Sequence, residues 1–139
     1  MAKVGTRLLT VTVAGSSATD QCATAKFTTG DQDSDFVTFA DAAAGGARQY
    51  NFEATIAQDM VAGTLWDLMW SAPGTTVTVR IAPYGNAVAS PTQPHFEAAC
   101  VVKEPDGDFI GGDADASTTA KMPVSFVWPC NAKPTKYTS

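Results

Sequence analysis

Apolar and polar residues alternate with period two along most of this chain, and that pattern restricts the fold more than any other feature. Leu9, Val11 and Val13 alternate with Thr10 and Thr12. Ala23, Ala25 and Phe27 alternate with Cys22, Thr24 and Lys26. Tyr50, Phe52, Ala54 and Ile56 alternate with Gln49, Asn51, Glu53 and Thr55. The same rhythm returns at Val77–Ile81, at Phe96–Val102 and at Met122–Trp128. Side chains of a strand point to opposite faces in turn, so each segment reads as a strand with one buried and one polar face. β-branched and aromatic residues fill the apolar positions, as a pleated, half-buried surface favours. Strand follows strand with little helix between, which predicts antiparallel pairing. The expected fold class is mainly β (α+β): two packed antiparallel sheets, as a sandwich or barrel, with one flanking α-helix.

That helix is expected over Val61–Trp70, where Val61, Leu65, Leu68 and Met69 recur at helical spacing with Trp66 and Trp70 beside them. Asp59 or Thr64 is placed to cap its start, and Pro73-Gly74 ends it. A helix so short needs tertiary support. Leu65, Trp66, Met69 and Trp70 are therefore expected to pack it onto a sheet, and the aromatics read as core and not as a cofactor site. Two loops interrupt the strands. Residues 28–47 form a long connection in which only Phe36–Phe39 looks strand-like, and connections beyond about 12–15 residues usually have a function or lack order. Residues 104–118 are polar and rich in turn formers, leaving Phe109 and Ile110 exposed unless something covers them. With 139 residues, no internal repeat and no linker, the chain reads as a single domain.

The net charge is −5, with acid concentrated in two stretches. Asp31, Asp33, Asp35 and Asp41 lie between Lys26 and Arg48. Glu104, Asp106, Asp108, Asp113 and Asp115 lie between Lys103 and Lys121. Gripping duplex nucleic acid requires cations that displace counterions, so this balance argues against a nucleic-acid binder. Nothing approaches the roughly 18 apolar residues of a membrane span, and no apolar run follows Lys3 as a secretory signal would need. Cys22, Cys100 and Cys130 are an odd set without metal-ligand spacing. They read as reduced thiols packed as small hydrophobes, in a chain folded in a cytoplasm.

Signs of catalysis are sparse. His95 is the single histidine and stands at the start of a strand, where an edge or surface role is expected. No G-x-S-x-G elbow, H-E-x-x-H, C-x-x-C or glycine-rich phosphate loop occurs. Asp31-Gln32-Asp33-Ser34-Asp35 opens like a calcium loop, but Phe36 stands where glycine is required and Ala42 where glutamate is required. An irregular calcium site in either acidic stretch is disfavoured. No enzyme activity, no cofactor and no metal is expected.

The order of segments in the last two thirds resembles a known family. Leu65-Trp66-Asp67-Leu68-Met69-Trp70 precedes Gly74-Thr75-Thr76-Val77-Thr78-Val79 and Ala82-Pro83-Tyr84-Gly85. Then come Pro94-His95-Phe96-Glu97, Gly111-Gly112 and Pro123-Val124-Ser125-Phe126-Val127-Trp128-Pro129. Over residues 47–134 this is similar to the major tail tube proteins of long-tailed bacteriophages. The resemblance implies a structural virion protein, folded in the host cytoplasm, whose copies close into hexameric rings. Those rings would stack into a tube that conducts DNA without binding it specifically. It also implies a tape-measure protein and a tail terminator as partners. The ring-stacking loop would be 28–47, through Asp31, Asp33, Asp35, Phe36 and Phe39, and the lumen-facing residues would be Glu53, Glu97 and Asn51. Two alternatives compete: another ring or decoration protein of a virion, and a surface- or carbohydrate-binding β-sandwich module.

Overall fold

The computed structural model describes residues 3–31, 36–44 and 48–139. It is mainly β, with two antiparallel sheets that stay distinct and do not close into a barrel. The strands are β1 (Thr10–Val13), β2 (Ser16–Ser17), β3 (Cys22–Asp31), β4 (Arg48–Ala57), β5 (Thr76–Ala82), β6 (His95–Val101), β7 (Pro123–Pro129) and β8 (Thr135–Tyr137). One sheet has five strands in the order β2-β1-β5-β6-β8, and the other has three in the order β3-β4-β7.

Both sheets turn their apolar stripes inward onto one core. Val11, Val13, Val79, Ile81, Ala98 and Cys100 come from the five-stranded sheet. Phe52, Ala54, Ile56, Val124, Phe126 and Trp128 come from the three-stranded one. The Phe52 ring lies 5.9 Å from Phe126 and 5.8 Å from Trp128, both tilted, an arrangement aromatic quadrupoles favour. The indole N–H of Trp128 donates to the Lys103 carbonyl at 3.1 Å, so burying this large side chain leaves no polar atom unpaired.

Two helices are present where one was expected. α1 (Phe39–Ala43) lies inside the 28–47 segment, and α2 (Leu65–Ser71) is the flanking helix. The strand-like reading of Phe36–Phe39 fails because Thr38 and Asp41 form a capping box. Asp41 N–H donates to the Thr38 hydroxyl at 3.1 Å and Thr38 N–H donates to the Asp41 carboxylate at 3.2 Å. Those bonds satisfy donors that a helix start leaves orphaned, and they begin a helix at Phe39. The connection is also shorter than expected, since β3 runs on to Asp31 and β4 starts at Arg48. α2 begins at Leu65 and not at Val61. Thr64 caps it, accepting from Asp67 N–H at 3.3 Å, while Asp59 shapes the preceding turn by accepting from Val61 N–H at 3.1 Å.

Two further departures come from backbone detail. A bulge between Cys22 and Thr24 makes Ala23 the extra residue, because Cys22 pairs with Ile56 and Thr24 with Thr55. Cys22 thereby joins Ala25 and Phe27 against the core, and Ala23 is exposed. Met122, expected on the buried stripe of β7, lies just before the strand and is exposed.

Candidate assembly surface

Sheet edges differ sharply between the two layers. The five-stranded sheet ends in β2, of two residues, and β8, of three. Short edges of this kind offer little to pair with. The three-stranded sheet ends in β3, of ten residues, and β7, of seven. Among the described residues each of these pairs with β4 alone. Since both run antiparallel to β4, β3 and β7 run in the same direction.

The outward face of this sheet carries Asn51, Glu53 and Thr55 on β4. Glu53 stands directly between Lys26 and Val127, and Thr55 between Thr24 and Ser125. Thr55 is tied to both neighbours: its N–H donates to the Thr24 hydroxyl at 2.9 Å, and its hydroxyl lies 2.9 Å from that of Ser125. A shallow cleft of about 280 Å³ crosses this face and is bordered also by Glu104 and Asp106. The cleft therefore collects three carboxylates against the single ammonium of Lys26.

Glu97 does not belong to that surface. β6 lies in the other layer, so the polar sides of β4 and β6 face away from each other across the core. A common track containing Glu53, Asn51 and Glu97 is thus ruled out by the sheet to which each strand belongs. Glu97 accepts instead from the Arg80 guanidinium at 3.1 Å. Arg80 Nε donates to His95 Nδ1 at 3.0 Å, and the Arg80 guanidinium carbon lies 4.9 Å from the centre of the Tyr137 ring. His95 Nε2–H donates to the Asn86 carbonyl at 3.0 Å. An arginine nitrogen can only donate, so these partners fix the tautomer with the proton on Nε2. His95 is 5% exposed, which corrects the surface role expected of it: the loop around Asn86 covers it.

The proposed stacking segment is described only in part. Asp33 and Asp35 lie outside the described residues, and Asp31 ends β3 opposite Arg48. Phe36 is 79% exposed and Phe39 98%, with Val37 exposed between them. Exposed apolar side chains gathered in one short segment make it a candidate contact site.

Around α2, Leu65, Trp66 and Met69 are buried as the helix was expected to arrange. Trp70 is not: it is 57% exposed, stacked on Trp66 with ring centres 5.7 Å apart and planes 8° off parallel. Its position one residue beyond Met69 turns it off the buried stripe. Phe109 covers both indoles from the 104–118 loop, and Trp66 Nε1–H donates to the Phe109 carbonyl at 2.8 Å. Ile110 stays exposed.

Sequence reasoning missed one chemical pair altogether. Cys100 and Cys130, both buried, bring their sulfurs to 3.2 Å. They face each other at an antiparallel bridge where the chain leaves β7 and crosses to the edge of β6. No spacing rule links residues 30 apart in sequence. Cys130 is shifted down by the hydrogen bond from Cys100, whose own thiol is pushed up by that bond and then by burial. Among the described residues, no group of three or more His, Cys, Asp or Glu side chains could hold a metal ion, and no helix is long and apolar enough to cross a membrane.

No protein family, curated protein or solved structure matches this chain.

Proposed function

We propose that this protein is a structural subunit that closes into rings through the two edges of its three-stranded sheet, as a tail tube protein of a long-tailed bacteriophage would. The observation that carries this reading is the pair of long edges, β3 and β7, on opposite sides of one sheet and running the same way. In a ring whose axis follows the strands, rotation preserves strand direction. β7 of one copy then meets β3 of the next in parallel, a head-to-tail contact that closes on itself. Closure pairs the backbone groups that a free subunit leaves at these edges.

In this reading the outward face of the three-stranded sheet lines the lumen, with Asn51, Glu53 and Thr55 toward the bore and Glu104 and Asp106 at its margin. Repeated around a ring, that surplus of carboxylates repels phosphate and lets DNA pass without being held. Glu97 lies on the outer wall. The apolar Phe36–Phe39 segment is suited to contact between successive rings, and tape-measure and terminator proteins are the partners such a tube requires.

Negative-stain microscopy of the purified chain tests this. Rings or stacked tubes are expected for the wild type. Ala25→Pro combined with Thr29→Pro removes two N–H groups on the open side of β3, since their partners Ala54 and Tyr50 bond toward β7. That variant should keep its β circular dichroism and form no rings. Normal assembly of the double variant would show that the contact lies elsewhere. The half-exposed Trp70 favours one competing reading, a carbohydrate-binding sandwich. That reading expects monomers at every concentration and a change in Trp70 fluorescence on adding polysaccharide.

A further inference from the structure

The Cys100–Cys130 pair joins the two sheets at a corner where the chain passes from one to the other. β7 ends at Pro129 in the three-stranded sheet. Cys130 N–H still donates to the Tyr50 carbonyl of β4 at 2.8 Å, whereas Asn131 N–H donates to the Ala99 carbonyl of β6 at 2.9 Å. The corner is therefore held by backbone bonds to both layers, and the two sulfurs meet inside it at 3.2 Å. Residues directly opposite in an antiparallel bridge have Cα atoms about 4.5–5.5 Å apart, within the range a disulfide spans. Forming the bond requires the sulfurs to close roughly 1 Å more, which side-chain rotation supplies.

We propose that Cys100 and Cys130 are a redox-active dithiol that a small-molecule disulfide oxidises to an intramolecular disulfide, stapling β6 to the end of β7. This inference is independent of the assembly reading. Attack starts at Cys130, which is less deeply buried than Cys100. The Cys130 sulfur displaces one thiolate from the oxidant and forms a mixed disulfide. Cys100 then loses its proton and attacks the Cys130 sulfur, releasing the second small thiolate. In sum, two protein thiols and one oxidised disulfide become one protein disulfide and two reduced thiols. Both cysteines are buried, so the first step requires local opening at the corner after β7, where residues 131–139 lead away from Cys130. That segment is held mainly by the three-residue β8, and the rest of it is largely exposed. Oxidation is thus slow in the closed fold and faster wherever the tail opens. Cys22 takes no part, since it lies on β3 near the opposite edge of the three-stranded sheet.

The disulfide would enclose the acidic 104–118 loop and the whole of β7, so it restricts a long stretch of the unfolded chain. The test uses the full-length wild-type protein incubated with oxidised glutathione, with and without a low urea concentration that loosens the tail. Intact mass after alkylation should show the loss of two hydrogens and a single alkylated cysteine. Peptide mapping should give a Cys100–Cys130 link, and Tm should rise by roughly 10 °C, a rise that dithiothreitol reverses. Cys22→Ser should form the same link and leave no alkylatable cysteine. Three alkylatable thiols after equilibration in urea, a stable glutathione adduct on Cys130, or a link that involves Cys22 would each overturn the proposal.

Discussion

Replacing Arg80 by alanine probes the polar cluster around buried His95 on the outer face of the five-stranded sheet, and its cost can be worked from the contacts. Arg80 supports three things at once. It supplies the donor to His95 Nδ1 at 3.0 Å, and His95 is buried. Without that donor, either Nδ1 is left unpaired or the proton moves and the Asn86 carbonyl is left unpaired, which costs about 1–3 kcal/mol. The ion pair with Glu97 adds less, because the two side chains remain 33% and 28% exposed and water screens them, for about 0.5 kcal/mol. The contact with the Tyr137 ring adds about 0.5 kcal/mol. Arg80→Ala should therefore destabilise the fold by about 2–4 kcal/mol, and urea denaturation should show its midpoint falling by about 1–2 M at unchanged slope. Arg80→Lys keeps the charge but loses the planar fork that reaches His95 and Glu97 together, so it should recover only the smaller part. Glu97→Gln should cost under about 1 kcal/mol. The reasoning is refuted if Arg80→Ala falls within about 0.5 kcal/mol of wild type, the usual range for an inconsequential surface change. It is equally refuted if Glu97→Gln costs as much as Arg80→Ala, since the ion pair and not the histidine would then dominate.

Two more outcomes follow from backbone and thiol chemistry. Gly85 has φ +74°, and a Cβ there would run into the backbone carbonyl of Leu8, whereas Gly15 at φ +83° has open space around it. Gly85→Ala should cost about 2 kcal/mol more than Gly15→Ala in thermal unfolding, and equal costs would show that the clash is relieved by movement of the N-terminal segment. Burial, with a smaller contribution from Asp20, pushes the Cys22 thiol from its ordinary value of 9.0 up to about 11. Its thiolate fraction at pH 8 is then about 100-fold lower than in the unfolded chain, and maleimide labelling should be slower by a similar factor. Because the folded state holds this proton more tightly, the stability it contributes is fully present below pH 9 and is lost as pH rises toward 11. Labelling of native Cys22 at the rate of denatured protein would contradict this.

Much of this fold is legible in the one-dimensional pattern. Period-two runs mark β1, β4, β5, β6 and β7, because alternation is imposed by a strand lying between core and water wherever it occurs. The Thr64 cap and the Leu65/Met69 stripe mark α2 for the same reason: its signals are local. Even the misread segment had a local clue, since Thr38 and Asp41 have the spacing of a capping box, though Phe36–Phe39 reads more loudly as strand. Tertiary structure decided the rest. Alternation separates the polar side of Glu53 from its apolar neighbours, and does the same for Glu97, but it cannot say which sheet each strand joins. Only the long-range pairing of β4 with β3 and β7, and of β6 with β5 and β8, sends these two carboxylates to opposite faces of the sandwich. The burial of His95 depends on a loop nine residues away folding back to meet its ring. The meeting of Cys100 with Cys130 depends on the chain changing sheets at Pro129. Local preference is a property of a residue and its near neighbours, whereas each of these contacts exists only once two packed layers share a core.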